Sequence, residues 1–159
     1  MRPLWTGLAL LLCLTVTPLA MADDEGSALA TAKQLLDAFN RHDPDAMAAL
    51  VAGDFELFYV SDAGQAELGA KGPDDLRTQM TGYFASRPTV RSVIEGSVDG
   101  PRFASFRERA ISIRDGMERS ASSLAVYEVV DGKVLRVWYY PAEAPRSVPM
   151  DDEEAAPTE

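Results

Sequence analysis

The chain has 159 residues, with 25 acidic against 15 basic side chains and a formal net charge of −10. This length admits one domain. The acidic balance excludes a nucleic-acid-binding face and docking on anionic lipid, both of which need clustered cations.

The first residues fall into three zones. Arg2 gives a positive start, Leu8 to Val16 is a short apolar core broken by Pro18, and Ala20-Met21-Ala22 places small residues before Asp23. That layout is a cleavable secretory signal peptide over residues 1–22, and it makes the protein exported, periplasmic or secreted. The apolar run is shorter than the ~20 residues a membrane span needs, so a retained anchor is the competing reading and no stable span is expected after cleavage. Cys13 is the only cysteine and lies inside the signal. The cleaved chain would then have no thiol nucleophile, no Cys-ligated zinc and no disulfide, and would depend on its apolar core.

Ser27 to Asn40 reads as a helix, with Leu29, Ala32, Leu35, Leu36 and Phe39 on one face. Asp43-Pro44 opens a second, shorter helix: Asp43 caps it and Pro44 fits its first position. Phe55 to Val60 is an apolar and aromatic strand, Ser61 to Gly64 a turn, and Gln65 to Ala70 the return strand. Gly72-Pro73-Asp74-Asp75 starts a third helix with acids at its positive end. Its stripe of Leu76, Met80, Tyr83 and Phe84 reads as core or pocket wall. Val90–Val98, Arg102–Ile113, Met117–Val130 and Lys133–Tyr140 read as four antiparallel strands, joined by turns at Asp99-Gly100-Pro101, Asp115-Gly116 and Asp131-Gly132. Helices before strands, without βαβ alternation, predict an α+β domain over residues 27–142. Residues 143–159, with Asp151 to Glu154 and Glu159, read as a disordered acidic tail.

Three passages in this order, LLDAFNRHDPDAMAALVAGDFEL, KGPDDLRTQMTGYF and VYEVVDGKVLRVWYY, resemble the nuclear transport factor 2-like superfamily and its SnoaL-like and ketosteroid-isomerase-like branch. The resemblance implies a cone: a strongly curved, mostly antiparallel sheet packed on three N-terminal helices around a pocket. It also implies a homodimer formed through the outer face of the sheet. Members include isomerases, dehydratases, cyclases and non-catalytic binding domains, among which fold does not choose.

The resemblance places a ketosteroid-isomerase base closest to Asp62, and its tyrosine near Leu35, where no hydroxyl exists. As a turn residue, Asp62 also reads as a partner for local N–H groups. His42, the only histidine, sits beside Asp43 in the break between the first two helices and reads as an exposed loop residue. Strand alternation puts Ser105, Arg107 and Arg109 on one face, and Ala104, Phe106 and Glu108 on the other. It also separates Arg136, Trp138 and Tyr140 from Leu135, Val137 and Tyr139, without saying which set lines the cone. Asp62 and Glu108 are the candidate catalytic carboxylates. Tyr59, Tyr83, Arg107, Arg136, Trp138 and Tyr140 are the candidate pocket residues, suited to an apolar, aromatic or anionic ligand. No phosphate-cradling loop, nucleophile elbow or metal-ligand motif occurs, so no cofactor and no metal are called for. The expected function is binding of a small, largely apolar or aromatic molecule. The alternatives are an isomerase, dehydratase or cyclase using a pocket carboxylate, and a protein-interaction module using the sheet face.

Overall fold

The computed structural model describes residues 27–149. The signal segment 1–22 and the acids from Asp151 onward lie outside the described residues. Helix α1 spans Ala28–Asn40, and Ser27 Oγ caps it by accepting the Ala30 N–H at 3.0 Å. Helix α2 spans Pro44–Leu50, where Asp43 Oδ1 accepts the Ala46 N–H at 2.8 Å and Pro44 stands in the first turn.

His42, between these helices, departs from the expected exposed loop residue. It is half-buried at a left-handed φ of 52°. Its ring stacks on Phe84 with centroids 4.5 Å apart, and Nε2 lies 2.7 Å from the Val90 carbonyl oxygen. An oxygen acceptor there requires the hydrogen on Nε2. Beside it, the Asn40 amide donates to the Ser92 carbonyl at 2.9 Å and accepts the Ser92 N–H at 2.7 Å. Together these contacts tie the end of α1 to the sheet.

Strands β1 (Val51–Val60) and β2 (Ala66–Lys71) form a hairpin. Helix α3 (Gly72–Ser86) follows, then β3 (Arg91–Asp99), β4 (Phe103–Arg114), β5 (Met117–Val130) and β6 (Lys133–Tyr139). Asp115-Gly116 and Asp131-Gly132 have φ of 54° and 70°, and of 51° and 71°. Two positive φ in succession is the tight hairpin turn that matches strand twist. The sheet order is β2-β1-β6-β5-β4-β3, antiparallel except where β1 meets β6. The three helices pack on one face of this curved sheet. The core between them holds Ala32, Leu35, Phe55, Leu76, Phe84, Phe106, Tyr127 and Val137. The fold is therefore the expected α+β cone.

The expected end of the folded domain at residue 142 is too early. Strand β7 (Arg146–Pro149) pairs antiparallel with Met117–Ser120 of β5. Between β6 and β7 the chain still donates to β5, from Tyr140 N–H to Leu124 O and from Glu143 N–H to Ser122 O. Strands β6 and β7 therefore follow one edge of β5. Pro141 and Pro145, which have no N–H to give, interrupt the ladder.

Candidate functional site

A cavity of about 280 Å³ opens between the helices and the concave face of the sheet. Its walls are apolar: Leu35, Leu36 and Phe39 from α1, Met47 from α2, Leu76 and Met80 from α3, and Phe55, Leu57 and Val137 from the sheet. One polar cluster interrupts them. Glu108 on β4 is buried and accepts a hydrogen bond from the Tyr127 hydroxyl at Oε1. Ser92 Oγ donates to Oε2 at 3.2 Å, and the Tyr139 hydroxyl stands 3.4 Å from the same oxygen. The Tyr127 and Tyr139 hydroxyls are 3.0 Å apart.

Strand register builds this cluster. Glu108 faces Ser123 across the β4–β5 ladder and Ile94 across β3–β4, while Tyr127 faces Val137 across β5–β6. Side chains of directly paired residues share a face of the sheet, so all of them point into the cone. The Tyr127 ring also packs on Phe106, with centroids 5.1 Å apart.

Burial pushes the Glu108 carboxyl above the ordinary carboxylate range, against the downward pull of hydrogen bonds from Tyr127, Ser92 and Tyr139. Burial, and then the neighbouring Tyr139 and Glu108, drives Tyr127 well above the usual tyrosine range. Burial and Glu108 do the same for Tyr139. Both phenols therefore stay protonated and act as donors. A protonated Glu108 can donate a hydrogen bond to a tyrosine oxygen and leave that phenolic O–H to turn toward the cavity; an ionised one would accept the O–H itself.

Of the residues read from sequence, Glu108, Tyr59 and Tyr83 line this cavity. Tyr59 stands at the rim, stacked with Tyr139 at 6.3 Å. Room for its ring comes from Gly69, which is passed over in the β1–β2 register where Leu57 pairs with Ala70 and Phe58 with Leu68. A Cβ on Gly69 would lie 2.5 Å from the Tyr59 ring, so any larger residue at this bulge would push that ring from its place at the rim.

The other five lie elsewhere. Asp62 is exposed in the β1–β2 turn, away from the cavity. Arg107 is on the convex face, 3.2 Å from Glu95 and 2.9 Å from Glu143. Arg136 is on that face too, 3.1 Å from Glu56 and 3.0 Å from Glu128. Arg102 Nε joins the network, donating to Glu128 at 2.7 Å. Burial alone would raise the Glu128 carboxyl, but the two arginines outweigh it and hold the group below the ordinary range. Trp138 stacks against Phe58 at 6.1 Å on the convex side, and Tyr140 is exposed beyond β6.

Sequence reasoning missed Tyr127, Tyr139 and Ser92. The hydroxyl lacking at Leu35 on α1 is supplied from β5 and β6 instead. Alternation along β5 from the Asp115-Gly116 turn would have put Tyr127 on the face of Glu108. Ser92 carries no such signal.

Comparison with known proteins agrees with this architecture. The family model for the SnoaL-like domain matches residues 32–137. No curated protein matches the chain. Among solved structures, RV0760c from Mycobacterium tuberculosis is 16% identical with a TM-score of 0.65, over 76% of this chain and 96% of that one. A cystatin-fold protein from Novosphingobium aromaticivorans is 20% identical with a TM-score of 0.61, over 71% and 97%. The Δ5-3-ketosteroid isomerase from a Mycobacterium species is 16% identical with a TM-score of 0.59, over 76% and 98%. With its cone of three helices and curved sheet, and a family match that runs from α1 into β6, the chain belongs to the SnoaL-like domain family of the nuclear transport factor 2-like superfamily.

Proposed function

We propose that the cone binds one small, largely apolar molecule and receives a single oxygen of it at the Glu108–Tyr127–Tyr139 cluster. The observation that carries this reading is the contrast inside the cavity: apolar walls around one buried carboxyl and its hydroxyls. Pockets of this kind take affinity from the walls and orientation from the few polar groups. The volume of about 280 Å³ lies near the lower end for ligand sites.

Export through residues 1–22 and a homodimer belong to the same proposal. Supporting the dimer, Phe58, Trp138, Val126, Ser105 and Val98 are register partners in one row across the convex face. Val98 in that row is 69% exposed. A row that is apolar or aromatic at every position but Ser105, on the convex face, fits a partner surface. Native mass spectrometry of the protein from its own cells tests all three parts. The expected species is twice the mass of a chain starting at Asp23, with a retained small molecule that Glu108→Leu releases. A ligand-free protein in both forms would sink the binding reading. Trp138→Arg is expected to give a folded monomer by sedimentation; an unchanged dimer would show that the interface lies elsewhere.

A second reading has its own support. Glu108 is a carboxyl of raised proton affinity aimed into an apolar cavity, which suits proton transfer to or from a bound carbonyl compound in an isomerase, dehydratase or cyclase. In deuterated water, wild-type protein would then exchange hydrogens next to the carbonyl of the retained molecule. Glu108→Gln would stop that exchange. Exchange surviving in Glu108→Gln would remove Glu108 from this role.

A further inference from the structure

A second, open groove of about 730 Å³ adjoins the cone, with Tyr83 and Ala110 lining both. Its lining includes Arg87, Arg114 and Arg119, with Thr89 and Ser112 among its polar groups, and no aspartate or glutamate. That composition is unexpected in a chain with 25 acids and a net charge of −10.

The state of these arginines sharpens the contrast. Arg77, Arg102, Arg107, Arg109 and Arg136 each hold a carboxylate at close range. Among the described residues, Arg87 and Arg119 have no carboxylate partner, and Arg114 has only its exposed neighbour Asp115 at 3.8 Å. Arg87 instead lies over the Tyr83 ring, 5.1 Å from its centroid. Guanidinium groups are the side chains best matched to a planar anion.

Register makes groove and cone one surface. Glu108 pairs with Ser123, Ala110 with Ala121, and Ser112 with Arg119, so these three pairs follow one another along the same concave face. From the Glu108 pair to the Arg119 pair is four residues along β4, roughly 13 Å at the strand rise. Ala110, bearing only a methyl group, is the threshold between the two.

We infer that the ligand of the cone is an amphipathic acid, its apolar body in the cavity and its carboxylate held by Arg87 and Arg119. The inference rests on the binding reading proposed above and names the chemical class of the molecule. Arg114, further out on the same face, adds positive potential without a fixed contact.

Calorimetric titration with decanoate and 1-decanol, two ten-carbon probes differing only in the charged end, tests it. Wild-type protein is expected to bind decanoate roughly ten-fold tighter than decanol, a difference of about 1.4 kcal/mol. The preference should shrink as salt is raised. The double variant Arg87→Ala/Arg119→Ala should bind both probes alike, with decanol affinity unchanged; that unchanged affinity also reports an intact fold. Equal binding of both probes by the wild type, or an acid preference that survives the double variant, overturns the inference while leaving the cone reading in place. Failure of both probes to bind the wild type overturns both. If the preference emerges only after residues 150–159 are removed, the groove serves the chain's own acidic tail and the inference falls.

Discussion

Truncating Tyr127 to alanine is expected to lower stability by about 3–5 kcal/mol, the usual cost of removing a large buried aromatic ring. Tyr127 is 2% exposed, packs on Phe106 and lies at the centre of the core between sheet and helices. The loss has two parts. One is the cavity left by the ring. The other is the hydrogen bond to Glu108, whose Oε1 would lose its donor inside a buried site. Tyr127→Phe separates them, because it keeps the ring and deletes only the hydroxyl. An unpartnered buried polar group costs about 1–3 kcal/mol, so Tyr127→Phe should fall in that range and Tyr127→Ala clearly below it in stability. Denaturant unfolding at pH 7 measures both. Equal losses in the two variants would mean that the ring contributes nothing beyond its hydroxyl. No loss in Tyr127→Phe would mean that Glu108 is satisfied without it.

The pH dependence of stability should carry the signature of Glu108. Its folded carboxyl binds its proton more tightly than the unfolded chain does, because burial outweighs the hydroxyls of Tyr127, Ser92 and Tyr139 that face it. Between the unfolded and folded pKa values the folded state therefore holds the extra proton, and stability falls as pH rises. The contribution is fully present below the ordinary glutamate range and is lost as pH climbs through the raised folded value. Glu108→Gln keeps the shape and cannot ionise. The difference between wild type and Glu108→Gln should then be small in acid and grow toward neutral and alkaline pH, with the variant the more stable partner there. Taking the difference cancels other titrating groups such as Glu128, whose lowered carboxyl works in the opposite sense. A pH-independent difference would show that the Glu108 carboxyl ionises as readily folded as unfolded, and a variant that loses ground as pH rises would show that it ionises more readily folded. In the binding reading proposed above, the same buried acid is the group that offers a hydrogen to the ligand, so this measurement bears on that proposal as well.

Much of the cone was legible in the residues. The caps Ser27 and Asp43, the helical stripes of α1 and α3, and the two Asp-Gly turns each act through local sterics and hydrogen bonds, and each is where its residue types demand. Alternation along β4 grouped Glu108 with Ala104 and Phe106, opposite Ser105, Arg107 and Arg109, and the structure shows that the Glu108 side is the concave one. The family resemblance added the order and curvature of these parts, and the match over residues 32–137 agrees with it.

The wall opposite Glu108 was decided only by the assembled sheet. Val130 pairs with Lys133 and Val129 with Val134, as a two-residue hairpin requires. A regular ladder would go on to pair Tyr127 with Arg136, turning Arg136, Trp138 and Tyr140 into the cone. Instead Leu135 is passed over, Glu128 pairs with Arg136, and Tyr127 pairs with Val137. One extra residue exchanges the two faces of a strand. It brings Tyr139 to Glu108 and sends Arg136 out to Glu56 and Glu128.

The expectation of export rests on residues 1–22 as a linear signal, and alternation along β4 sets which side chains share a face with Glu108. The hydroxyls around Glu108, the convex ion network and the resumption of pairing at β7 depend on residues far apart in sequence, brought together by register. Local preferences set the elements, but a bulge is chosen by the packing on both sides of a strand, and that exists only once the fold has closed.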